Sequence, residues 1–265
     1  MSRIDQAFAQ LRTDQRKAFV PFVTAGDPDL DFTGELLATL DRQGASILEV
    51  GFPYSDPIAD GPVIQASYTR ALAQGLRVEQ IFQHASQWQS QLTAPLVAMV
   101  SYAIIHRRGP ERFLDQACQA GFAGAIVPDL LVEEADAFRQ LCDARDFSLI
   151  QLVTPTTPRE RAVRIAESSS GFLYYVSVTG ITGERRELPS DLVDQVGWLR
   201  EQTELPICIG FGISNPEQVA QLREVADGVI VGSALVRCIA DGSSDDRQQV
   251  LENVGKLASQ LIKAL

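Results

Sequence analysis

The chain has 265 residues, of which 45% are hydrophobic and 22% are charged. This length is close to the roughly 250 residues of a typical (β/α)8 barrel and can bury one large core. Its 23 Lys and Arg residues against 34 Asp and Glu residues give a net charge of −11, which argues against binding to nucleic acid or to an anionic membrane. No apolar run is long enough to span a membrane, and the N-terminus lacks the features of a secretory signal. We therefore expect a cytoplasmic protein, or a plastid protein from which a transit segment has been removed.

Short apolar runs alternate with amphipathic stretches along nearly the whole chain. Eight runs have the length and composition of strands: Phe19–Thr24, Ile47–Gly51, Leu96–Ser101, Gly124–Pro128, Ser148–Val153, Phe172–Val178, Pro206–Phe211 and Gly228–Val231. The helices predicted around them are Met1–Thr13, Asp31–Gln43, Glu79–Gln91, Pro110–Ala120, Glu133–Ala144, Pro158–Glu167, Leu192–Gln202, Pro216–Arg223, Ala234–Ala240 and Asp246–Leu265. Asp31 is the expected N-cap of its helix.

The order and character of these elements indicate the fold. The strands are continuously apolar, which is typical of a parallel sheet covered on both faces. Eight strand–helix units with no linker between them predict an α/β protein, a single (β/α)8 or TIM barrel that spans residues 1–265 as one domain. An open doubly wound sheet is the alternative. The first helix is an extra N-terminal helix expected to cover the bottom of the barrel, and the last is an additional C-terminal helix.

The second predicted strand carries an ionisable residue among apolar ones. Ile47, Glu49 and Gly51 share one face of this strand, and Leu48 and Val50 share the other. A carboxylate inside a barrel is costly unless it is paired or neutralised, so one interpretation of Glu49 is a buried salt bridge. The other is catalysis, because catalytic residues cluster at the C-terminal ends of barrel strands. Burial would raise the pKa of Glu49 and suit it to acid–base chemistry near neutral pH.

The loop after this strand, Phe52–Pro62, holds two more carboxylates, Asp56 and Asp60, among three prolines and a glycine. Turn chemistry alone can account for aspartate before proline or glycine. A stiff loop could instead present a carboxylate over the barrel mouth. Asp60 would then bond a donor on the substrate and stabilise a developing positive charge.

Two glycine-containing segments, Gly210–Ser214 and Val231–Ala234, end the last two predicted strands. The loops after these two strands form the recurrent phosphate site of such barrels, since backbone N–H groups and a helix N-terminus attract an anion. The candidate phosphate ligands are Gly183, Gly212, Gly232 and Ser233. Phe211 is a candidate substrate contact. Glycines at strand ends can also be simple turns, and no complete nucleotide-binding glycine motif is present.

Two features of the sixth predicted strand and its loop leave alternatives open. The strand carries Tyr174 and Tyr175, of which one must face the barrel and the other the helices, and periodicity does not say which. The loop, Thr179–Ser190, is long and polar with two glycines and a proline. It is either a mobile lid over the barrel mouth or a plain exposed loop.

The chain closely resembles the tryptophan synthase alpha chain family in five segments, which occur in order and cover essentially its full length. They are Pro21–Pro28, Leu48–Pro62, Thr179–Gly183, Gly210–Ser214 and Gly232–Ala234. The second segment is highly specific to that family. The resemblance implies a lyase that reversibly cleaves indole-3-glycerol phosphate, by a retro-aldol reaction, to indole and glyceraldehyde 3-phosphate.

The resemblance also implies a role for individual residues. Glu49 matches the catalytic acid–base group, which moves protons between C3 of indole and the glycerol hydroxyl. Asp60 matches the carboxylate that bonds the indole N–H. Tyr174, three residues before a serine, matches the active-site tyrosine. Phe22 resembles the aromatic wall of the indole pocket, and Thr182 the lid threonine that approaches Asp60. The four candidate phosphate ligands match the family's phosphate-cradling positions.

No metal and no organic cofactor is implied for this chain, because protonating C3 makes indole a leaving group. The scattered cysteines and the two histidines also lack metal-ligand spacing. Family members usually work in an α2β2 heterotetramer, in which indole passes through a tunnel to a β chain that carries pyridoxal phosphate. The loops after the second, third and fourth strands make that contact. The sequence departs from the family pattern there, with Ile104 and Arg108 where asparagine is common and Leu131 where proline is usual.

Three other hypotheses are compatible with a barrel of this kind. One is another phosphosugar isomerase or synthase of tryptophan or histidine biosynthesis. Such enzymes would require a lysine or an acid pair on other strands, and no predicted strand carries an interior lysine. Another is a chain that mainly activates a β partner. The third is a lyase that releases indole without a partner.

Overall fold

In the computed structural model, which describes residues 1–57, 60–177, 192–210, 212–242 and 246–265, nine strand segments lie side by side in one parallel sheet. They are β1 (Ala18–Thr24), β2 (Leu48–Gly51), β3 (Leu96–Met99), β4 (Phe122–Ile126), β5 (Ser148–Ile150), β6 (Leu152–Val153), β7 (Leu173–Val176), β8 (Ile207–Gly210) and β9 (Gly228–Val231). Their order is β5-β4-β3-β2-β1-β9-β8-β7-β6. Since β5 and β6 are the two ends of this order and adjoin in sequence, the sheet forms a nearly closed barrel.

Gln151 divides the fifth predicted strand into two segments that pair with different neighbours. β5 pairs with β4, whereas β6 pairs with β7. The side-chain amide of Gln151 donates to Oγ of Ser168 at 2.9 Å, and the backbone carbonyl of Gln151 accepts the N–H of Tyr174 at 3.1 Å. The eight-stranded barrel is therefore confirmed, with one strand that changes partners halfway along.

Helices surround the barrel and occupy its bottom. They are α1 (Arg3–Thr13), α2 (Leu30–Gln43), α3 (Pro62–Ala73), α4 (Val78–Gln89), α5 (Tyr102–Arg108), α6 (Pro110–Gln119), α7 (Asp136–Asp143), α8 (Arg159–Ser168), α9 (Leu192–Arg200), α10 (Pro216–Leu222), α11 (Ser233–Asp241) and α12 (Arg247–Ile262), with a 3-10 turn at Val132–Glu134. The predicted helices are confirmed to within a few residues, and α12 is the additional C-terminal helix. No helix in the described part of the chain combines the length and the apolar character that crossing a membrane requires.

Two helices, α3 and α5, were not predicted, and one predicted cap is wrong. Asp29, not Asp31, caps α2, because its carboxylate accepts the N–H of Phe32 at 2.7 Å. Asp31 lies in the first turn instead. The α7 helix begins later than predicted because the chain first makes the 3-10 turn.

Apolar side chains form two layers, one inside the barrel and one between the barrel and the helices. The inner layer includes Phe22, Val97, Ile126 and Tyr174, while alternate residues of the same strands belong to the outer layer. The helix α1 contributes its own apolar face to the inner layer. Its Phe8 ring packs 5.8 Å from that of Phe172, at the N-terminal end of the barrel. The first helix therefore covers the bottom, as expected.

Candidate active site

Glu49 lies on the inner face of β2, beside Phe22 of β1 and Val97 of β3. Its side chain is 0% exposed, and neither carboxyl oxygen has a hydrogen-bond partner among the described residues. An unpaired, fully buried carboxyl group is costly in its ionised form. The salt-bridge interpretation therefore finds no support in the described part of the chain, and the catalytic interpretation stays a prediction.

Burial gives the two acidic groups of the site different proton affinities. Burial and, secondarily, the charge of Asp60 raise the pKa of Glu49 from 4.5 to about 8. Burial also raises the pKa of Asp60 from 3.8, but only to about 6. Because two neighbouring carboxyl groups ionise one after the other, Glu49 holds a proton near neutral pH while Asp60 is charged. One group can therefore give a proton while the other attracts positive charge.

The loop after β2 turns Asp60 inward and Asp56 outward. Asp60 is 6% exposed, whereas Asp56 lies in solvent. The side-chain amide of Gln65, on α3, donates to the carbonyl of Asp60 at 2.8 Å and to that of Pro57 at 3.1 Å. Gln65 therefore shapes the backbone that carries Asp60 towards Glu49.

Polar contacts hold α3 against the end of β1. Oγ of Ser67 donates its only hydrogen to the carbonyl of Ile64 at 2.7 Å. In the 2.7 Å contact between Ser67 and Thr24, the threonine hydroxyl is therefore the donor and the serine oxygen is the acceptor. Arg70 forms a two-point ion pair with the buried Asp27, at 2.9 and 2.6 Å. These contacts fix the helix whose first turn follows Asp60.

Tyr174 faces the barrel interior and Tyr175 faces the helices, which decides the alternative that periodicity left open. Tyr174 belongs to the inner apolar layer, whereas Tyr175 donates to the amide oxygen of Gln195 on α9. An added Cβ on Gly210 would lie 2.6 Å from ring atoms of Tyr174, so that glycine makes room for the ring. Burial and then the charge of Glu49 raise the pKa of Tyr174 well above its usual value, so its hydroxyl stays protonated.

Phe22 extends from the end of β2 to the start of α11. An added Cβ on Gly51 would lie 2.5 Å from Cζ of Phe22 and 2.9 Å from the hydroxyl of Tyr68. An added Cβ on Gly232, on the other side, would lie 3.4 Å from Phe22. The aromatic ring therefore stands between the carboxyl groups and the glycine that precedes α11.

Three of the predicted phosphate ligands belong to the described residues: Gly212 lies in the loop after β8, and Gly232 and Ser233 lie at the start of α11. Gly212 has φ +76°, a left-handed conformation that other residues rarely adopt. Gly232 is the N-cap of α11, makes no side-chain capping bond, and is followed by Ser233 as the first helical residue. N–H groups in the first turn of a helix have no intrahelical acceptor, and they attract anions. The three other predicted site residues, Thr182, Gly183 and Phe211, lie outside the described residues, as does the predicted lid.

Two further tyrosines line the acidic side of the site and were not among the predicted residues. The rings of Tyr54 and Tyr68 pack 5.7 Å apart, and burial followed by the charge of Asp60 raises the pKa of both. Tyr68 lies four residues after Ile64, with both in the inner layer. That spacing is a helical signal, which becomes informative once α3 is recognised as a helix.

The three positions that depart from the family pattern have different surroundings. Ile104 is partly buried against the outer apolar layer. Arg108 pairs with Glu79 at 2.8 Å and lies over the ring of Phe82, 5.6 Å from its centre. Leu131 is 51% exposed, which is unusual for a large apolar side chain. Arg108 therefore contributes to the helix layer, whereas Leu131 is available to a partner.

A parallel (β/α)8 barrel with two buried carboxyl groups of different proton affinity at its C-terminal end defines an enzyme of the acid–base class. The family model for the tryptophan synthase alpha chain matches residues 8–265. The tryptophan synthase alpha chain of Rhodopirellula baltica is 54% identical over all of this chain and 99% of its own length. The chain belongs to the tryptophan synthase alpha chain family, so the expected family, and with it an enzyme of the lyase class, is confirmed.

Solved structures agree with this assignment. A crystal structure of the tryptophan synthase alpha chain from Legionella pneumophila has a TM-score of 0.89 and 36% identity, over all of this chain and 97% of the other. A structure of Mycobacterium tuberculosis tryptophan synthase has a TM-score of 0.90 and 32% identity, over 99% of this chain and 98% of the other. The barrel and its additional helices are therefore shared with these proteins.

Proposed function

We propose that the chain cleaves indole-3-glycerol phosphate to indole and glyceraldehyde 3-phosphate, with Glu49 as the acid–base group. The observation that carries this proposal is the state of Glu49: it is fully buried, has no partner among the described residues, and has a pKa raised to about 8. Such a carboxyl group holds a transferable proton at neutral pH.

The first step is protonation of the substrate ring. The carboxylic acid of Glu49 gives its proton to C3 of indole, and the ring becomes positively charged with its N–H more acidic. The ionised carboxylate of Asp60, which is buried near Glu49, accepts that N–H. A charge placed where the opposite charge develops stabilises the transition state.

The second step breaks the carbon–carbon bond. The carboxylate of Glu49 takes the proton of the adjacent glycerol hydroxyl, the new C=O of the aldehyde forms, and the electron pair of the broken bond returns to the ring as neutral indole. Glu49 is again protonated, so the cycle balances. The proposed reaction needs no metal or organic cofactor because the protonated ring itself accepts the electrons.

The rest of the site would hold the two ends of the substrate. Phe22 and Tyr174 present aromatic rings inside the barrel, where an indole ring would pack. Gly212, Gly232 and Ser233 would bind the phosphate through backbone N–H groups, with Gly183, Thr182 and Phe211 as further predicted contacts. Local amides are needed because the net charge of −11 repels an anion.

Indole release by the isolated chain tests the catalytic proposal. Glu49→Gln keeps the shape but removes the transferable proton, so we expect the rate to fall about 10²- to 10⁴-fold. The exposed glutamate Glu201 offers a matched control, Glu201→Gln, which should leave the rate unchanged. An unaltered rate in Glu49→Gln would exclude the acid–base role. If the wild-type chain released no indole but stimulated a β chain, the activator hypothesis would replace the lyase.

We also propose that the chain passes indole to a tryptophan synthase β chain in an α2β2 assembly. Family membership supports this, as does the exposure of Leu131 on the loop after β4. That loop is tied to the loop after β3, because Asp129 accepts the hydroxyl of Ser101 at 2.6 Å and the N–H of Tyr102 at 2.7 Å.

Stimulation of indole release by an added β chain tests this second proposal. Val193, on α9, is 52% exposed and provides a control of equal exposure to Leu131. We expect Leu131→Ser to raise the β-chain concentration needed for half-maximal stimulation, and Val193→Ser to leave it unchanged. Equal effects of the two substitutions would contradict a contact at Leu131.

A further inference from the structure

Two hydroxyl groups join the end of β1 to α3. Thr24, the last residue of β1, shares the inner face of that strand with Phe22 and pairs with Gly51 of β2. Its hydroxyl donates to that of Ser67 at 2.7 Å, and Ser67 donates in turn to the carbonyl of Ile64 at 2.7 Å. Thr24 is 3% exposed and Ser67 is 0% exposed, so water has little access to these hydrogen bonds.

The same part of α3 also holds the backbone of Asp60. Ile64 and Gln65 are the third and fourth residues of α3, which begins two residues after Asp60. The side-chain amide of Gln65 donates to the carbonyls of Asp60 and Pro57, and the N–H of Asp60 donates to the carbonyl of Pro57 at 3.1 Å. The backbone that carries Asp60 is therefore connected, through the start of one helix, to the inner face of β1.

Packing alone does not account for the hydroxyl of Thr24. Valine has nearly the same shape and would fill the space without a polar group to remove from water. The bond from Ser67 to Ile64 is a local contact that serine often makes inside helices, but the contact with Thr24 joins residues 43 positions apart. A hydrogen bond adds little net stability, yet it has a preferred length and direction. The contact between the two hydroxyls therefore fixes the place of α3 relative to β1.

We propose that Thr24 and Ser67 are positioning residues for Asp60: their hydrogen bond holds α3 at the distance from β1 at which Asp60 can bond the N–H of the substrate ring. This inference rests on the proposed function, since it concerns the place of Asp60 relative to that substrate. Both residues act through α3 and its loop, and neither hydroxyl exchanges a proton with the substrate. A small displacement of a group that stabilises the transition state is enough to slow the reaction.

The first test separates the hydroxyl from the shape of the side chain. Thr24→Val removes the donor and keeps the shape, Ser67→Ala removes the acceptor, and Thr24→Ser keeps the donor. We expect Thr24→Val and Ser67→Ala each to lower kcat/KM for indole release about tenfold. The loss should fall mainly on kcat, because Asp60 acts on charge that develops in the transition state. Thr24→Ser should retain most of the wild-type rate. A wild-type rate in both Thr24→Val and Ser67→Ala would overturn the proposal.

Ser148→Ala is the matched control for loss of stability. The hydroxyl of Ser148, on β5, donates to that of Ser2 at 3.0 Å, and both residues are buried. This contact has the same chemistry as the one between Thr24 and Ser67, but it lies at the opposite end of the barrel, beside α1. We expect Ser148→Ala to lower the thermal midpoint as Ser67→Ala does, and to leave kcat/KM unchanged. Equal losses of activity in the two variants would refute a positioning role.

The pH profile of kcat/KM shows whether the surroundings of Asp60 have changed. Burial raises the pKa of Asp60 from 3.8 to about 6. A displaced loop that admits water should lower this pKa again, so in Ser67→Ala the acidic limb, set by Asp60, should move to lower pH. The alkaline limb, set mainly by the burial of Glu49, should stay in place. The other ionisable groups around Asp60 are unchanged in this variant: Tyr54, Tyr68 and Tyr174. An acidic limb at the wild-type pH would contradict the proposal.

Binding without turnover gives an independent measure of the place of Asp60. The probes are 3-(indol-3-yl)propyl phosphate, which has no bond to cleave, and its N-methyl counterpart, which lacks the N–H. We expect the wild type to prefer the first probe, and Thr24→Val and Ser67→Ala to lose much of that preference. The double variant should lose no more than either single variant, because the two hydroxyls form one bond. Additive losses would count against the inference.

Failure of this inference and failure of the proposed function give different results. If the wild-type chain neither cleaves indole-3-glycerol phosphate nor binds the first probe, the proposed function is wrong. If the wild type does both, and Thr24→Val and Ser67→Ala behave like the wild type, the proposed function stands and the two hydroxyls have no part in placing Asp60.

Discussion

Glu49 should make the stability of the barrel fall as pH rises, and Glu49→Gln should remove this dependence. The folded chain raises the pKa of Glu49 from 4.5 to about 8. The neutral carboxyl group is therefore the form that the fold accommodates. Its contribution is fully present below pH 4.5 and is lost as the pH rises through about 8, because the folded chain retains a proton that the unfolded chain has released.

The magnitude follows from the interval between the two pKa values, which is about 3.5 pH units. Each unit corresponds to about 1.4 kcal/mol, so the whole effect approaches about 5 kcal/mol. Between about pH 5.5 and about pH 7.5, the free energy of unfolding of Glu49→Gln should therefore rise by about 3 kcal/mol relative to the wild type. Asp60 also has a raised pKa, but it is present in both proteins and cancels in the difference.

Urea unfolding followed by circular dichroism at several pH values measures this difference. The curves are fitted with an intermediate, because chains of this length often populate one. A constant difference in unfolding free energy between Glu49→Gln and the wild type is the cost of burying an amide in place of an acid, and it does not test the raised pKa. The test is whether this difference changes with pH: parallel curves of unfolding free energy against pH across this range would refute the raised pKa of Glu49. Glu201→Gln again serves as the exposed control.

Three further substitutions test the construction of the site. Gly51→Ala places a methyl group 2.5 Å from the ring of Phe22, so we expect a loss of about 1–3 kcal/mol in unfolding free energy from overpacking; an unchanged thermal midpoint would contradict this contact. Gln65→Met removes two bonds to the loop carrying Asp60 and should lower kcat/KM for indole release several-fold, at a stability cost of about 1 kcal/mol per bond; unaltered kinetics would show that the loop keeps its shape without them. Gly212→Ala forces a side chain into φ +76° and should cost about 1–2 kcal/mol, while weakening inhibition by inorganic phosphate; phosphate affinity equal to that of the wild type would remove this residue from the site.

The parts of the site that could be predicted from the sequence are those carried by strands. Alternation along β2 places Glu49 and Gly51 on one face, and a carboxyl group among apolar neighbours indicates an unusual pKa. The strand ends at Gly210 and Val231 bring two glycine loops together because parallel strands end at the same edge of the sheet. Periodicity could not show whether Tyr174 or Tyr175 faces the interior, since both sets of alternate residues in this strand are apolar. The pairing of β7 with its neighbours shows which tyrosine faces inward.

The parts that could not be predicted depend on contacts between distant segments. The α3 helix follows a loop rich in proline, whose turn signals obscure the helix start at Pro62, and without α3 neither Gln65 nor Tyr68 can be placed. Asp29 and Asp31 have equal capping chemistry, and the loop before α2 selects the first. The break at Gln151 coincides with a side-chain hydrogen bond to Ser168, seventeen residues away, and no local pattern encodes that contact.

The helix at the bottom of the barrel has a consequence for the movement of protons. Ile4, Phe8 and Leu11 of α1 fill the N-terminal end of the interior, so apolar side chains close the barrel below Glu49. In the proposed reaction, the bound substrate would occupy the mouth of the barrel above Glu49. The proton that Glu49 gives up would then be replaced from the substrate's own hydroxyl, so that no proton would be exchanged with water during a turnover.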